Sequence, residues 1–303
     1  MIFRSLMTAA ITVACYLSMI LPSAHARVEV IDDTGVVVVL EQHAQRIVSL
    51  SPHITENLFA AGLGDRIVAT VAHADYPEPA KDLPRVGGYN SLNLEALIQL
   101  QADLIITWGS GISYESKAKL DALGIPIYVS EPKTLEDIQE NIRDFVKLGG
   151  LAEQEVSVLY TLDRVLAEFP RRKATATVFY QIWNDPIQTL NGLHIVNDVF
   201  SRCGLYNVFA EAPSVAPTLN VESIIAANPD LIVASGLGNE RPAWLARWTH
   251  YRSINAVKNN ALYALDPDLM QRPTPRLLEG LAQICTWSSQ LHESNPDAHS
   301  PLQ

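Results

Sequence analysis

Residues 91–106 and 218–233 carry one pattern twice, and that repetition limits the folds open to this chain more than any other feature. The first copy reads Ser91-Leu-Asn-Leu-Glu95, then Ala-Leu-Ile-Gln-Leu-Gln-Ala, then Asp103-Leu-Ile-Ile106. The second reads Thr218-Leu-Asn-Val-Glu222, then Ser-Ile-Ile-Ala-Ala-Asn-Pro, then Asp230-Leu-Ile-Val233. The offset is 218 − 91 = 127 residues, too wide for a solenoid repeat. A hydroxyl residue as N-cap with an acid inside the first turn answers the unpaired N–H groups of a helix start, so Ser91 and Thr218 are the expected caps. The short β-branched runs that follow read as buried parallel strands. Each copy is a helix feeding a central strand. The chain is therefore α/β, with two similar lobes and one Glu at the matching helix start of each.

The first 26 residues read as a removable export signal. Arg4 is the only charge before residue 27, Leu6 to Leu21 is almost continuously apolar, and Ala24-His25-Ala26 is a small-residue cleavage site. Removing it takes one positive charge from a chain of net charge −11, giving −11 − 1 = −12. With no basic stripe anywhere, nucleic acid is excluded as a partner. Cleavage also removes Cys15 and leaves Cys203 and Cys285. In an oxidising compartment these form one disulfide or remain as two buried thiols. Each ends an apolar helical stripe: Ile195, Val199, Cys203 on one, and Leu278, Leu281, Cys285 on the other.

Between the copies, residues 152–169 have apolar residues at 158, 159, 162, 165, 166 and 169 and no Gly or Pro. That spacing predicts a long linker helix within residues 151–173, ahead of Pro170-Arg171-Arg172-Lys173. The predicted organisation is an N-terminal lobe over 27–150, this linker, a C-terminal lobe over 174–292 and a disordered tail over 293–303.

No hydrolase elbow, phosphate loop, dinucleotide fingerprint or paired-histidine metal motif occurs. No catalytic or metal-binding residue is therefore assigned. What stands out is a set of polar and aromatic loops at strand exits, where open α/β sheets bind ligands. They hold His73, Tyr89, Trp108, Trp183 and the segment Asp268-Leu269-Met270-Gln271-Arg272. A cleft between two lobes lined this way suits a large, flat, partly apolar ligand.

Several stretches resemble one family across essentially the whole chain after the signal. They are Arg46-Ile-Val-Ser-Leu-Ser-Pro-His-Ile-Thr-Glu56, Asp75-Tyr76-Pro77, Asn93-Leu94-Glu95 with Asp103-Leu-Ile-Ile-Thr-Trp108, Cys203-Gly204 with Asn207-Val-Phe209, Glu222 with Pro229-Asp230, and Thr274-Pro275-Arg276 with Cys285. The chain resembles the periplasmic solute-binding proteins of ABC importers for iron complexes and cobalamin, and is most similar to the cobalamin-binding members. The resemblance implies two Rossmann-like lobes joined by one long helix, no chemistry, and cobalamin as ligand rather than cofactor. It implies a periplasmic monomer that docks on an ABC permease through Glu95 and Glu222. It also implies a Cys203–Cys285 disulfide and ligand contacts at His73, Tyr89, Trp108 and Asp268 to Arg272. The second-lobe tryptophan of those relatives is missing near Ala216, and Trp183 and Tyr180 are the expected substitutes. The alternatives are a haem or ferric-siderophore binder of the same fold, with His73 on iron and Arg272 on a propionate, and an exported hydrolase.

Overall fold

The computed structural model describes residues 27–88, 91–235 and 243–294. The expected export signal over residues 1–26 and residues 295–303 of the expected tail lie outside these. A hairpin opens the described chain: β1 (Val28–Ile31) and β2 (Val37–Leu40) pair antiparallel around the Asp32–Gly35 turn. The first sheet follows, built from β3 (Ile47–Ser49), β4 (Ile67–Ala69), β7 (Leu104–Trp108) and β8 (Ile127–Ser130). Its order is β4-β3-β7-β8 and every pairing is parallel. Short β5 (Gly87–Gly88) and β6 (Ser91–Leu92) pair beside it. Helices α1 (Pro52–Ala60), α2 (Leu94–Gln99), α3 (Tyr114–Asp121) and α4 (Leu135–Gly149) belong to this half.

Helix α5 (Ser157–Glu168) leads to the second sheet. That sheet contains β9 (Ala176–Gln181), β12 (Leu205–Asn207), β14 (Leu231–Ser235) and β15 (Leu262–Leu265), in the order β12-β9-β14-β15, again all parallel. Short β10 (Trp183–Asn184), β11 (Ile187–Gln188) and β13 (Thr218–Leu219) make an antiparallel ribbon at its edge. The helices here are α6 (Val196–Arg202), α7 (Val221–Ala227), α8 (Asn255–Lys258) and α9 (Leu277–Ser294).

The repeat is structural. Strand β7 begins at Leu104 and β14 at Leu231, 231 − 104 = 127 residues later, and both lie inside their sheets. Alternation along them also matches. Leu104 and Ile106 face a large core cluster that Leu231 and Val233 share, while Ile105 and Ile232 face separate outer clusters. Leu97 of α2 closes one outer cluster and Ile224 of α7 closes the other. Burial on both faces is what an uninterrupted D-L-I-I run needs. The aspartate of each run clasps the neighbouring strand's start. Asp103 accepts from the Gln45 and Arg46 N–H groups, and Asp230 from the Thr177 N–H and hydroxyl.

Three expectations are corrected. The helix caps are Asn93 and Asn220, whose side chains accept from Ala96 N and Ser223 N at 3.0 and 2.8 Å. Ser91 and Thr218 instead belong to the short strands β6 and β13. The linker helix has 12 residues, not 18, because residues 153–155 form a separate 3-10 turn. The last helix continues through Ser294, so residues 293 and 294 are helical.

Candidate ligand-binding cleft

The carboxyl ends of both sheets bring their exit loops toward one another, and an ion-pair network joins them. Helix α1 leaves β3 with Pro52 in its first turn. Ser51 stands at the cap position, but its hydroxyl bonds the His53 ring at 2.7 Å instead of capping the helix. One turn further on, Glu56 is 3% exposed. Its carboxylate accepts from Arg272 Nη1 at 2.9 Å and from Arg276 Nε and Nη2 at 2.9 and 2.8 Å. Both arginines belong to the segment after β15, in the other half of the chain. Asp75, in the loop after β4, accepts from the same Arg272 Nη1 at 2.9 Å. Asp268 completes the set, 3.0 Å from Arg272 Nε and 3.5 Å from Arg276 Nη2. Asn57 adds a bond from its amide to the Pro273 carbonyl at 3.0 Å, and Arg276 lies 4.2 Å over the Tyr76 ring. Two guanidiniums against three carboxylates give a formal charge of 2 − 3 = −1. Partial burial alone would raise the Asp75 pKa. The hydrogen bond and charge of Arg272 outweigh it and hold that carboxyl below the ordinary range.

The first-half wall holds His73 and Trp108. His73 is exposed and takes a left-handed backbone, φ 65°. Trp108 ends β7 and shares with His73 a pocket of about 130 Å³ that also includes Leu50, Leu92 and Ile112. A side chain at Gly111 would collide with the Trp108 ring, so glycine lets the following loop fold over the indole. Behind Trp108, His53 packs edge-on at 5.6 Å and 88°.

His53 is nearly inaccessible to water. Burial, then the charge of Arg272, pushes its pKa from 6.5 down to about 3. The unfolded chain therefore takes up this proton first. Stability is full above pH 6.5 and falls as pH drops toward 3, by about 1.4 kcal/mol per unit. Buried His194, pushed down to about 4, acts in the same sense. Asp33 in the first hairpin is pushed up to about 6 by burial and offsets one of them between pH 6 and 3.8. Denaturant titrations at pH 7 and 5 should show His53→Gln losing less stability on acidification than the parent, by about 2 kcal/mol. Equal losses would mean that folded His53 titrates normally.

The second-half wall separates the expected contacts. Trp183 is 57% exposed and its indole N–H donates to the Asp185 carbonyl at 3.1 Å. Gln271 donates to the Ser235 hydroxyl at 2.8 Å and to Tyr180 Oη at 3.2 Å. It thereby ties the segment to the exit of β14. Tyr180 is fully buried against Phe200, so it cannot replace a cleft aromatic. Met270 is also a correction. Its side chain is fully buried beneath α9, where Gly280 meets the Leu269 carbonyl closely, so it serves the core. Leu269 packs half-buried on the same core. Tyr89 lies outside the described residues.

Glu95 and Glu222 are exposed in the first turns of α2 and α7, one per sheet. Cys203 and Cys285 are disulfide-bonded. Among the described residues, no group of three or more His, Cys, Asp or Glu side chains is arranged to hold a metal ion. Glu56, Asp75 and Arg276 were not singled out as site residues from the sequence. All three nevertheless stand in stretches that carry the family resemblance: Arg46 to Glu56, Asp75-Tyr76-Pro77 and Thr274-Pro275-Arg276.

Residues 47–269 match the family described as periplasmic binding protein. The chain belongs to the periplasmic binding protein family. Its compartment is accordingly the periplasm. A vitamin B12-binding protein of Vibrio cholerae is 36% identical over 251 residues, covering 80% of this chain and 89% of that one. The crystal structure of the periplasmic vitamin B12 binding protein BtuF of Vibrio cholerae superposes with a TM-score of 0.74 at 34% identity, over 82% of this chain and 98% of that one. The apo form of a periplasmic heme-binding protein, RhuT from Roseiflexus, superposes with a TM-score of 0.68 at 25% identity, over 82% and 99%. The two-sheet fold read from the repeat is thus that of known periplasmic binding proteins.

Proposed function

We propose that this periplasmic binding protein captures cobalamin between its two halves and delivers it to an ABC permease, without performing chemistry on it. The observation that carries the choice of ligand is the charge balance of the ion-pair network. Arg272 and Arg276 are already matched by Glu56, Asp75 and Asp268. A haem propionate would need an uncommitted cation, and this network offers a net negative charge instead. A corrin fringed with neutral amides has no such need and can hydrogen-bond to fixed polar groups while its faces meet aromatic walls. The vitamin B12-binding relatives support the same reading. His73, Tyr89, Trp108, Trp183, Asp268, Gln271 and Arg272 are the proposed contacts. The protein works as a monomer of two lobes, bounded near residues 150 and 174.

Calorimetric titration of the purified protein with cyanocobalamin, with haemin run beside it, tests this directly. One-to-one cyanocobalamin binding at least about a hundredfold tighter than haemin is expected. The reverse preference would move the assignment to haem.

Glu95 and Glu222 are the proposed permease contacts. They sit at equivalent points of a repeated helix, an arrangement that suits a partner with two-fold symmetry. In cells that depend on this chain for cobalamin uptake, Glu95→Ala combined with Glu222→Ala should abolish uptake while the purified variant still binds cyanocobalamin. Normal uptake would remove these residues from the docking surface.

A further inference from the structure

The three carboxylates around Arg272 and Arg276 differ in how firmly they are held. Glu56 is 3% exposed and receives three N–H bonds from the two arginines. Asp268 touches both arginines and sits inside a 3-10 turn capped by Asp266. Asp75 is 52% exposed, and among the described residues its ion pair is with Arg272, which is itself 20% exposed. Asp75 comes from the first half of the chain and reaches Arg272 from the loop that also carries His73, a proposed ligand contact. Without Asp75 the network would carry 2 − 2 = 0 formal charge.

We propose that Asp75 is a specificity gate: its half-exposed carboxylate, held on Arg272 Nη1, excludes tetrapyrroles that carry carboxylates. This rests on the cleft being the ligand site. Discrimination of this kind comes from repulsion as well as from attraction. A propionate approaching Arg272 meets the like charge of Asp75, which already accepts from Nη1 beside Glu56, and is repelled by it. An amide-bearing macrocycle makes no such demand. Glu56 and Asp268 cannot serve as the gate, because both remain engaged by Arg276 when Arg272 is approached.

The experiment compares parent and Asp75→Asn protein with three probes: haemin, haemin dimethyl ester and cyanocobalamin. Asparagine keeps the shape and an acceptor oxygen for Arg272, and a thermal melt establishes that the variant is folded. If that variant does not fold, Asp75→Ser is used in its place. Affinity for haemin is expected to rise by about tenfold or more relative to affinity for cyanocobalamin, with no such rise for the ester. Adding Arg272→Met to the variant should abolish the gain. An unchanged ratio overturns the gate, as does an equal gain for haemin and its ester, since the second outcome reports space rather than charge. Tight haemin binding by the parent also overturns it. Failure of the parent to bind cyanocobalamin, with haemin affinity still rising in Asp75→Asn relative to its dimethyl ester, overturns the cobalamin assignment and leaves the gate standing.

Discussion

Replacing Glu56 by alanine is expected to cost roughly 3–5 kcal/mol of folding stability, the range for breaking a buried ion pair from one side. The carboxylate is carried by α1 in the first half of the chain, and both its partners belong to residues 272–276 in the second. Their side chains are only 20% and 16% exposed. Without Glu56, Arg276 keeps one acidic partner, Asp268, at 3.5 Å. Arg272 keeps Asp75 and Asp268. The cost therefore falls mainly on Arg276, and on the two-half junction that the Asn57–Pro273 bond shares. Glu56→Gln should lose less, since one oxygen still accepts. Denaturant unfolding measures both, and cyanocobalamin titration shows whether ligand binding depends on the network. A loss under about 1 kcal/mol for Glu56→Ala would place the network among ordinary solvated ion pairs.

The sheets were legible in the sequence because their signal is local. The D-L-I-I and D-L-I-V runs are buried on both faces, and their 127-residue offset reappears in the strands, the covering helices and the capping asparagines. The caps differ from the expected hydroxyl residues for a local reason as well. Ser91 and Thr218 suit a cap chemically, but Leu92 and Leu219 after them pair in ribbons, which moves the helix start to the asparagine. The apolar stripe begins at Val158, and residues 152–156 add none of its positions, so the linker helix starts only at Ser157. Met270 is an expected ligand contact because it sits in a strand-exit segment that the family resemblance marks as ligand-contacting. Its burial depends on α9 crossing at Gly280, which no local pattern encodes. The ion-pair network was invisible for the same reason: Glu56 and Arg272 are 216 positions apart, and nothing in either stretch names the other.

Removing the Cys203–Cys285 bond should have the other large effect. The bond closes a loop of 82 positions, for which chain entropy alone gives about 4.5 kcal/mol. It joins the end of α6 to the middle of α9, and Ser288 reinforces the junction by donating to the Cys203 carbonyl at 2.8 Å. In a chain of this size each kcal/mol is worth about 2–4 °C, so Cys203→Ser with Cys285→Ser should melt roughly 10 °C or more below the parent. A reductant should reproduce the shift in the parent and leave the double variant unaffected. Cys203 lies just before β12, at the amino edge of the second sheet, whereas the proposed ligand site lies at the carboxyl edges. Below its melting point the variant should therefore bind cyanocobalamin as the parent does. Weakened binding by the folded variant would mean that α9 shifts as one rod. Its start directly follows Arg276, so release of its middle would then be felt at the ion-pair network.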